Sequence, residues 1–241
     1  MERWNDQGRV LSVRAHGENG AVVSLLTEKH GRHAGYVHGG MASSRIRAAL
    51  QPGAKLEIEW SAQTSDQLGT LSIQDDVPPD PAWLDDPARL AALQSLCALL
   101  DKTLPERECH PALYTGTEAF LNTLSGDADI WGAMLVYWEL ALLRELGFGL
   151  DLSKCVVTGV TGNLKYVSPK SGGAVSEAAA GAYKDRLFAL PGFLRGEGQV
   201  TRADVAAGLK LSGYFIEHRL LAHTTYTLPE ARTRLSGLLE N

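Results

Sequence analysis

Hydrophobic and polar positions alternate along the first third of the chain, and the alternation changes to a helical period beyond it. The plainest case is AKLEIEWSAQ, where Leu56, Ile58 and Trp60 alternate with Lys55, Glu57 and Glu59. A period of two places one set of side chains on a core and the other in solvent, which predicts a half-buried strand. RVLSVRAH, AVVSLLTE, RHAGYVHGG and LGTLSIQ read the same way, and HGENG and EKHGRH between them supply glycine at turns. Five short strands in about 75 residues predict a small closed barrel. Strand counting alone leaves an SH3-like barrel as the rival topology.

The sheet pattern stops at DDVPPDPAWLDDP, whose prolines at 78, 79, 81 and 87 favour extended backbone and mark a boundary. Asp86 followed by Pro87 predicts an N-cap and a first-turn proline. The helix after it carries Leu90, Leu93, Cys97 and Leu100 on one stripe. Pro111 to Gly126 continues in the helical period. IWGAMLVYWELALLREL is apolar nearly all round, with charges only at Glu139, Arg144 and Glu145, and predicts a central helix covered on several sides. Thr201 and Asp204 predict a capping box ahead of a helix with Val205, Leu209, Phe215 and Leu220 inward, and a short terminal helix follows. The predicted organisation is therefore α+β and multidomain. A barrel spans residues 1–76, a linker 77–86 and an α-helical bundle 87–241, interrupted once by a Gly-, Ser- and Thr-rich insert over 150–180.

Composition changes this picture little. The chain has 241 residues, 44% hydrophobic and 21% charged, with no apolar run near the roughly 20 residues of a membrane span. Charged residues in MERWNDQGRV predict no export signal, and three cysteines, Cys97, Cys109 and Cys155, suit a reducing cytoplasm better than a disulfide framework. Charge is more informative. The net value is −5, yet Met1 to Lys55 holds eight cations against four acids, while acidity gathers in the linker and helices.

Enzymatic signatures are missing: there is no G-x-S-x-G, Walker A, G-x-G-x-x-G or H-E-x-x-H sequence. His30 and His33 in HGRH lack helical spacing and acidic partners, so they read as exposed loop or DNA-facing histidines rather than zinc ligands. Cys97 and Cys109 read as buried, inert thiols. Asp75 with Asp76, and Asp85 with Asp86, read as solvated charges or caps. Arg45 and Arg47 are spaced to share one side of an extended strand, Lys29 and Arg32 fall in one turn, and Arg14 lies toward the end of its strand. Cations interleaved with His33, Tyr36 and His38 suit single-stranded nucleic acid, with phosphates tracked by charge and bases stacked on rings. An undecorated barrel or protein-binding module is the competing reading of the same residues.

The order of DQGRVLSVRAHGENGAVVSLLTEKHGRHAGYVHGG, SSRIRAALQPG, a strand ending in Trp60, a helical bundle and LDLSKCVVTGVTGNLKYVSPKSGGAVS resembles the bacterial DNA repair protein RecO family over nearly the whole chain. The resemblance implies an N-terminal OB-fold, a helical domain and a non-catalytic recombination mediator without a cofactor. It implies binding of single- and double-stranded DNA, annealing of complementary strands, and loading of RecA with RecR on DNA coated by the single-strand-binding protein SSB, in the nucleoid-associated cytoplasm. The basic residues that fit the family's DNA-binding barrel are Arg14, Lys29, Arg32, Arg45, Arg47 and Lys55. The acidic, hydrophobic-ended SSB tail would need an apolar pocket rimmed by Lys or Arg on the helical domain. Many members hold zinc in the insert with two C-x-x-C pairs. Here those positions read Cys155, Thr158, Ser176 and Ala179, so the insert is expected to be zinc-ribbon-like without its ligands and to fold without metal, with Val157, Leu164, Tyr166 and Val167 packed. Lys165 and Lys170 are further candidates to face DNA.

Two other function classes remain against this one. A protein-binding scaffold with merely superficial cations would bind partners without annealing DNA, and an enzyme acting on nucleic acid would require an acidic or metal-ligating cluster that the sequence does not supply.

Overall fold

The alternation in the first segment folds as five strands, β1 (Glu2–His16), β2 (Gly20–Thr27), β3 (Gly31–Val37), β4 (Lys55–Ala62) and β5 (Thr70–Val77). The structure is a computed structural model and describes residues 1–240. The strands close in the order β1-β2-β3-β5-β4, with β4 returning to pair antiparallel with β1 from Glu2↔Ala62 to Arg9↔Lys55. Inward positions obey the period of two. Ala21, Val23 and Leu25 of β2, and Leu56, Ile58 and Trp60 of β4, share one core with Val10, Val37 and Leu71. Trp60 is fully buried and donates its indole N–H to the Leu68 carbonyl at 3.1 Å. Burying a side chain of this size contributes about 2–3 kcal/mol.

β1 is longer than its sequence signal, because Trp4 and its neighbours pair with β4 although polar residues flank them. Between β3 and β4 the chain forms α1 (Ser44–Ala49), where the strand reading of Arg45 and Arg47 had predicted extended backbone. Helix wins because the Ser43 hydroxyl accepts from the Ile46 N–H at 3.3 Å, and because Ile46 and Ala49, three apart, both reach the barrel core.

The linker contains one short helix, α2 (Pro81–Asp85), before α3 (Pro87–Thr103). Asp86 caps α3 as expected, accepting from Ala88 and Arg89 at 2.8 and 2.9 Å. α3 lies on β1 and β2, and residues Met1–Thr115 form one compact unit that takes in the barrel, α2, α3 and the start of α4 (Pro111–Thr123). The segment between α3 and α4 is stitched to β3. Arg107 donates its backbone N–H to the Arg32 carbonyl at 2.7 Å and its guanidinium to Gln67 at 2.8 Å. Gly31, at φ 67°, meets the Glu108 carbonyl so closely that no side chain fits there.

The second compact unit, Gly116–Asn241, is built on α5 (Ala128–Glu145). This helix buries Trp131, Leu135, Val136, Trp138, Leu142 and Leu143, as its all-round apolar pattern predicts. It packs on α7 (Arg202–Phe215), whose Thr201–Asp204 capping box forms as predicted, and α7 in turn packs on α8 (Glu230–Glu240). The insert expected over 150–180 belongs to a four-stranded sheet that runs on to Ala189, with β6 (Asp151–Cys155), β7 (Leu164–Val167), β8 (Gly173–Ser176) and β9 (Phe188–Ala189) ordered β6-β8-β7-β9 and a one-turn helix α6 (Glu177–Ala180) after β8. Leu164 and Val167 are buried in it, whereas Val157, expected to pack, is 67% exposed. Among the described residues no helix is long and apolar enough to cross a membrane.

Candidate nucleic-acid interface

The outer face of β1, β2 and β3 is divided by α3. Ser24, Leu26 and Ala34 point away from the barrel core yet are buried, because α3 covers that part of the face. Two residues further along, the outward row runs Arg14↔Val22↔Tyr36↔Thr70 across β1, β2, β3 and β5, and this row stays at least partly open to solvent. Strand periodicity adds His16 beside Arg14 on β1 and His38 beside Tyr36 at the end of β3.

The rings at this end contact one another. His16 meets Tyr36 edge-on at 5.9 Å between centroids, and Tyr36 meets His38 edge-on at 4.7 Å. Tyr36 lies over Gly20, where a Cβ would overlap its phenol hydroxyl, so the backbone of β2 makes the seat for the ring. The Met41 N–H bonds the Asn19 carbonyl at 3.1 Å and holds the segment leading to α1 against the β1–β2 turn. Arg45 then lines the same cleft as His38, and Arg45 and Arg47 are both exposed. On a helix a spacing of two residues sends them to different sides, so they do not form the single row that a strand would give. Arg14 and Arg45 thus sit at one end of the barrel with three rings, Arg47 leaves α1 on another side, and the acids nearby are Glu18 in the adjoining turn and Asp75 and Asp76 in the cleft that Arg45 lines.

The other three candidate cations lie elsewhere. Arg32 donates from Nε to the Leu104 carbonyl at 2.8 Å and pairs with Asp101 at 3.8 Å, which commits it to the segment behind α3. Lys29 lines a shallow cleft with Asp6, Glu28 and Glu57, and Lys55 another with Glu57, Asp75 and Asp76. Three carboxylates line each of those clefts and oppose phosphate there.

Of the HGRH histidines, expected to be exposed or to face DNA, His33 is buried and His30 is only partly exposed. His30 stacks on Trp4 at 3.8 Å and shares a 2.8 Å contact with the buried carboxylate of Asp6. His33 is buried edge-on to both Trp4 and Trp60, with no hydrogen-bond partner at either ring nitrogen among the described residues. Burial, with Arg107 nearby, lowers its pKa to about 4, so the ring is neutral at pH 7. Cys97 is buried and its thiol is pushed up to about 12 by burial. Cys109, expected to be buried, is exposed in the segment after α3, its thiol 3.5 Å from the Glu28 carbonyl.

In the insert, Cys155 is buried and accepts the Ser176 N–H at 3.3 Å. Burial raises its pKa, but hydrogen bonds from the Thr158 hydroxyl and from Ser176 outweigh it and hold the thiol down to about 6. Three of the four positions expected from the resemblance therefore meet, as one thiol and two hydroxyls, and the fourth is Ala179. This donor set does not fit a tetrahedral structural zinc, which takes four thiolate or imidazole ligands. Among the described residues no three or more His, Cys, Asp or Glu side chains are grouped to hold a metal ion. Lys165 is half-buried, and Lys170 is exposed with its carbonyl accepting from Arg219 at 3.0 Å.

A second concavity, of about 420 Å³, lies on α5 and β6. Its walls are Leu140, Ala141, Leu150, Leu152 and Leu194, with Tyr137 and the exposed Arg144 at its edge. The Tyr137 hydroxyl donates to the Phe193 carbonyl at 2.5 Å, which fixes the ring against the groove.

Comparison with known proteins matches residues 1–76 to the family model described as recombination protein O N terminal, and residues 84–225 to recombination protein O C terminal. A protein named DNA repair protein RecO from Rhodospirillum centenum is 48% identical over 233 residues, covering 96% of this chain and 92% of the relative. One of the same name from Ruegeria is 46% identical over 237 residues, 98% of each chain, and one from Phenylobacterium zucineum is 46% identical over 230.

Proposed function

Because this chain belongs to the RecO family of DNA repair proteins, we propose that it serves DNA repair as a non-catalytic recombination mediator. In this reading its barrel is an OB-fold that binds single- and double-stranded DNA, the protein anneals complementary strands, and with RecR it helps RecA replace SSB on gapped DNA in the nucleoid-associated cytoplasm. The observation that carries the DNA-binding step is the open end of the β1-β2-β3 face. There Arg14 and Arg45 lie beside His16, Tyr36 and His38, with Arg47 exposed on another side of α1, while α3 covers the rest. Cations beside exposed rings suit a flexible single strand, with affinity led by phosphate and little dependence on sequence.

The groove beside Arg144 fits the SSB tail, since leucines receive an apolar end and a guanidinium at the rim meets a carboxylate. A strand-annealing assay with naked and SSB-coated complementary strands tests the whole reading. The mediator accelerates annealing in both cases, whereas a protein-binding scaffold engages SSB and leaves naked strands to anneal at their own rate.

A further inference from the structure

The barrel closes between β3 and β5 through one short parallel contact. β5 pairs with β4 from Thr70 to Val77, but on its other side it meets β3 only at Tyr36↔Thr70. β3 ends at Val37 and the chain leaves toward α1, so among the described residues Leu71 to Val77 has no partner strand on that side. This edge is about 23 Å long at the usual rise per residue, enough for a short extended peptide.

The edge does not face bulk solvent directly. It forms one wall of a cleft of about 450 Å³ whose other wall is α1, contributing Ser43, Arg45, Ile46 and Ala49. Val37, Ile46, Leu71 and Ile73 make the near end apolar. The far end is acidic: Asp75 and Asp76 are exposed, and Asp75 lies directly across from Glu57 on β4. A bulge separates the two ends, because Glu57 pairs with Asp75 and Ile58 with Ile73, leaving Gln74 out of register. Bulges interrupt continuous sheet growth, which disfavours pairing with a second barrel and leaves room for a short ligand.

We propose that the β5 edge is a strand-addition site for an extended peptide segment of a partner protein, apolar at alternating positions in its first half and basic in its second. Main-chain hydrogen bonds to β5 supply affinity. The cleft beneath α1 selects alternate apolar side chains, and Asp75 with Asp76 selects Lys or Arg. This cleft adjoins the DNA-binding end and shares His38 and Arg45 with it, but the strand-addition site is argued from the unpaired β5 edge and its carboxylates and does not depend on the DNA-binding reading.

The test uses the full chain and a set of labelled hexapeptides with Val or Ile at positions one and three, Ser or Thr at two and four, and Lys or Arg at five and six. The control set carries Glu at five and six. The basic set is expected to bind by fluorescence anisotropy, and its amide shift changes in heteronuclear NMR are expected to fall on Leu71–Val77 and α1. The acidic set is expected to bind at least tenfold more weakly, on the order of a single desolvated charge contact. Replacing Asp75→Lys and Asp76→Lys together should abolish the preference while leaving the thermal melt unchanged. Absence of binding by the basic set, equal binding of both sets, or shift changes outside this edge would overturn the proposal. So would an oligonucleotide that moves the amides of Leu71–Val77.

Discussion

Arg232 of α8 closes a two-pronged ion pair on Glu139 of α5, with Nε to Oε1 at 2.5 Å and Nη2 to Oε2 at 3.0 Å, and both side chains are essentially without solvent exposure. The rest of each group is also satisfied. Ser212 donates to the Glu139 carboxylate, and Arg232 donates to the Leu209 carbonyl and to Ser236. Removing one partner strands a buried charge, so Arg232→Met is expected to cost about 3–5 kcal/mol in urea unfolding. The double variant Glu139→Leu with Arg232→Met should recover most of that loss. A double variant no more stable than the single one would show that the pair is not the reason α8 stays in place.

Tyr36 is the central ring of the cluster, seated over Gly20 of β2 and in contact with both His16 and His38. Tyr36→Ala is expected to weaken single-stranded DNA binding by about 1–3 kcal/mol, the usual worth of one stacked base, with little change in the melt. Fluorescence anisotropy with a labelled oligonucleotide measures it, and an unchanged affinity would remove Tyr36 from the interface.

His33 gives the barrel an acid sensitivity whose sign follows from its burial. Its folded pKa, about 4, lies below the unfolded value of 6.5, so the folded state binds fewer protons. The stability it contributes is complete above pH 6.5 and is lost as pH falls toward 4. At about 1.4 kcal/mol per unit this amounts to at most about 3.5 kcal/mol. Urea midpoints for the parent protein should therefore fall over that window, and those of His33→Phe should fall less. Parallel pH profiles for the two proteins would place the sensitivity elsewhere.

Cys155 occupies what resembles a zinc-ligand position but is served by hydrogen-bond donors instead. Protein purified without a chelator or a metal-binding tag is expected to contain substoichiometric zinc, and a chelator should leave its melting temperature unchanged. Ser176→Ala, which removes one hydroxyl donor, should raise the thiol pKa from about 6, read by thiolate absorbance. Stoichiometric zinc in the parent protein would contradict this account of the insert.

What the sequence made legible was local. The alternation of Leu56, Ile58 and Trp60, the Asp86–Pro87 start of α3 and the Thr201–Asp204 capping box are each settled by a few neighbouring residues, and each forms as read. What was not legible depends on distant partners. Glu139 stood out as a charge on an apolar helix, but its partner lies 93 residues away and no periodicity links them. His33 looked like a turn residue because the two tryptophans that enclose it come from β1 and β4. Arg45-Ile46-Arg47 alternates like a strand, and only the Ser43 cap and the spacing of Ile46 and Ala49 reveal a helix. His16 was passed over, although its place two residues beyond Arg14 on one strand was the available signal. That α3 would cover half of the face, and so sort the cations, is a fact of packing.

Salt dependence of single-stranded DNA affinity tests the central claim most directly, compared among the parent protein, Arg14→Glu/Arg45→Glu/Arg47→Glu and Lys29→Glu/Lys55→Glu. Each phosphate contact contributes about 0.7 to the slope of log affinity against log salt. The account predicts a steep slope for the parent, a slope shallower by about 2 with greatly weakened binding for the arginine variant, and near-parental behaviour for the lysine variant. Parental binding by the arginine variant, or salt-independent affinity in the parent, would contradict it.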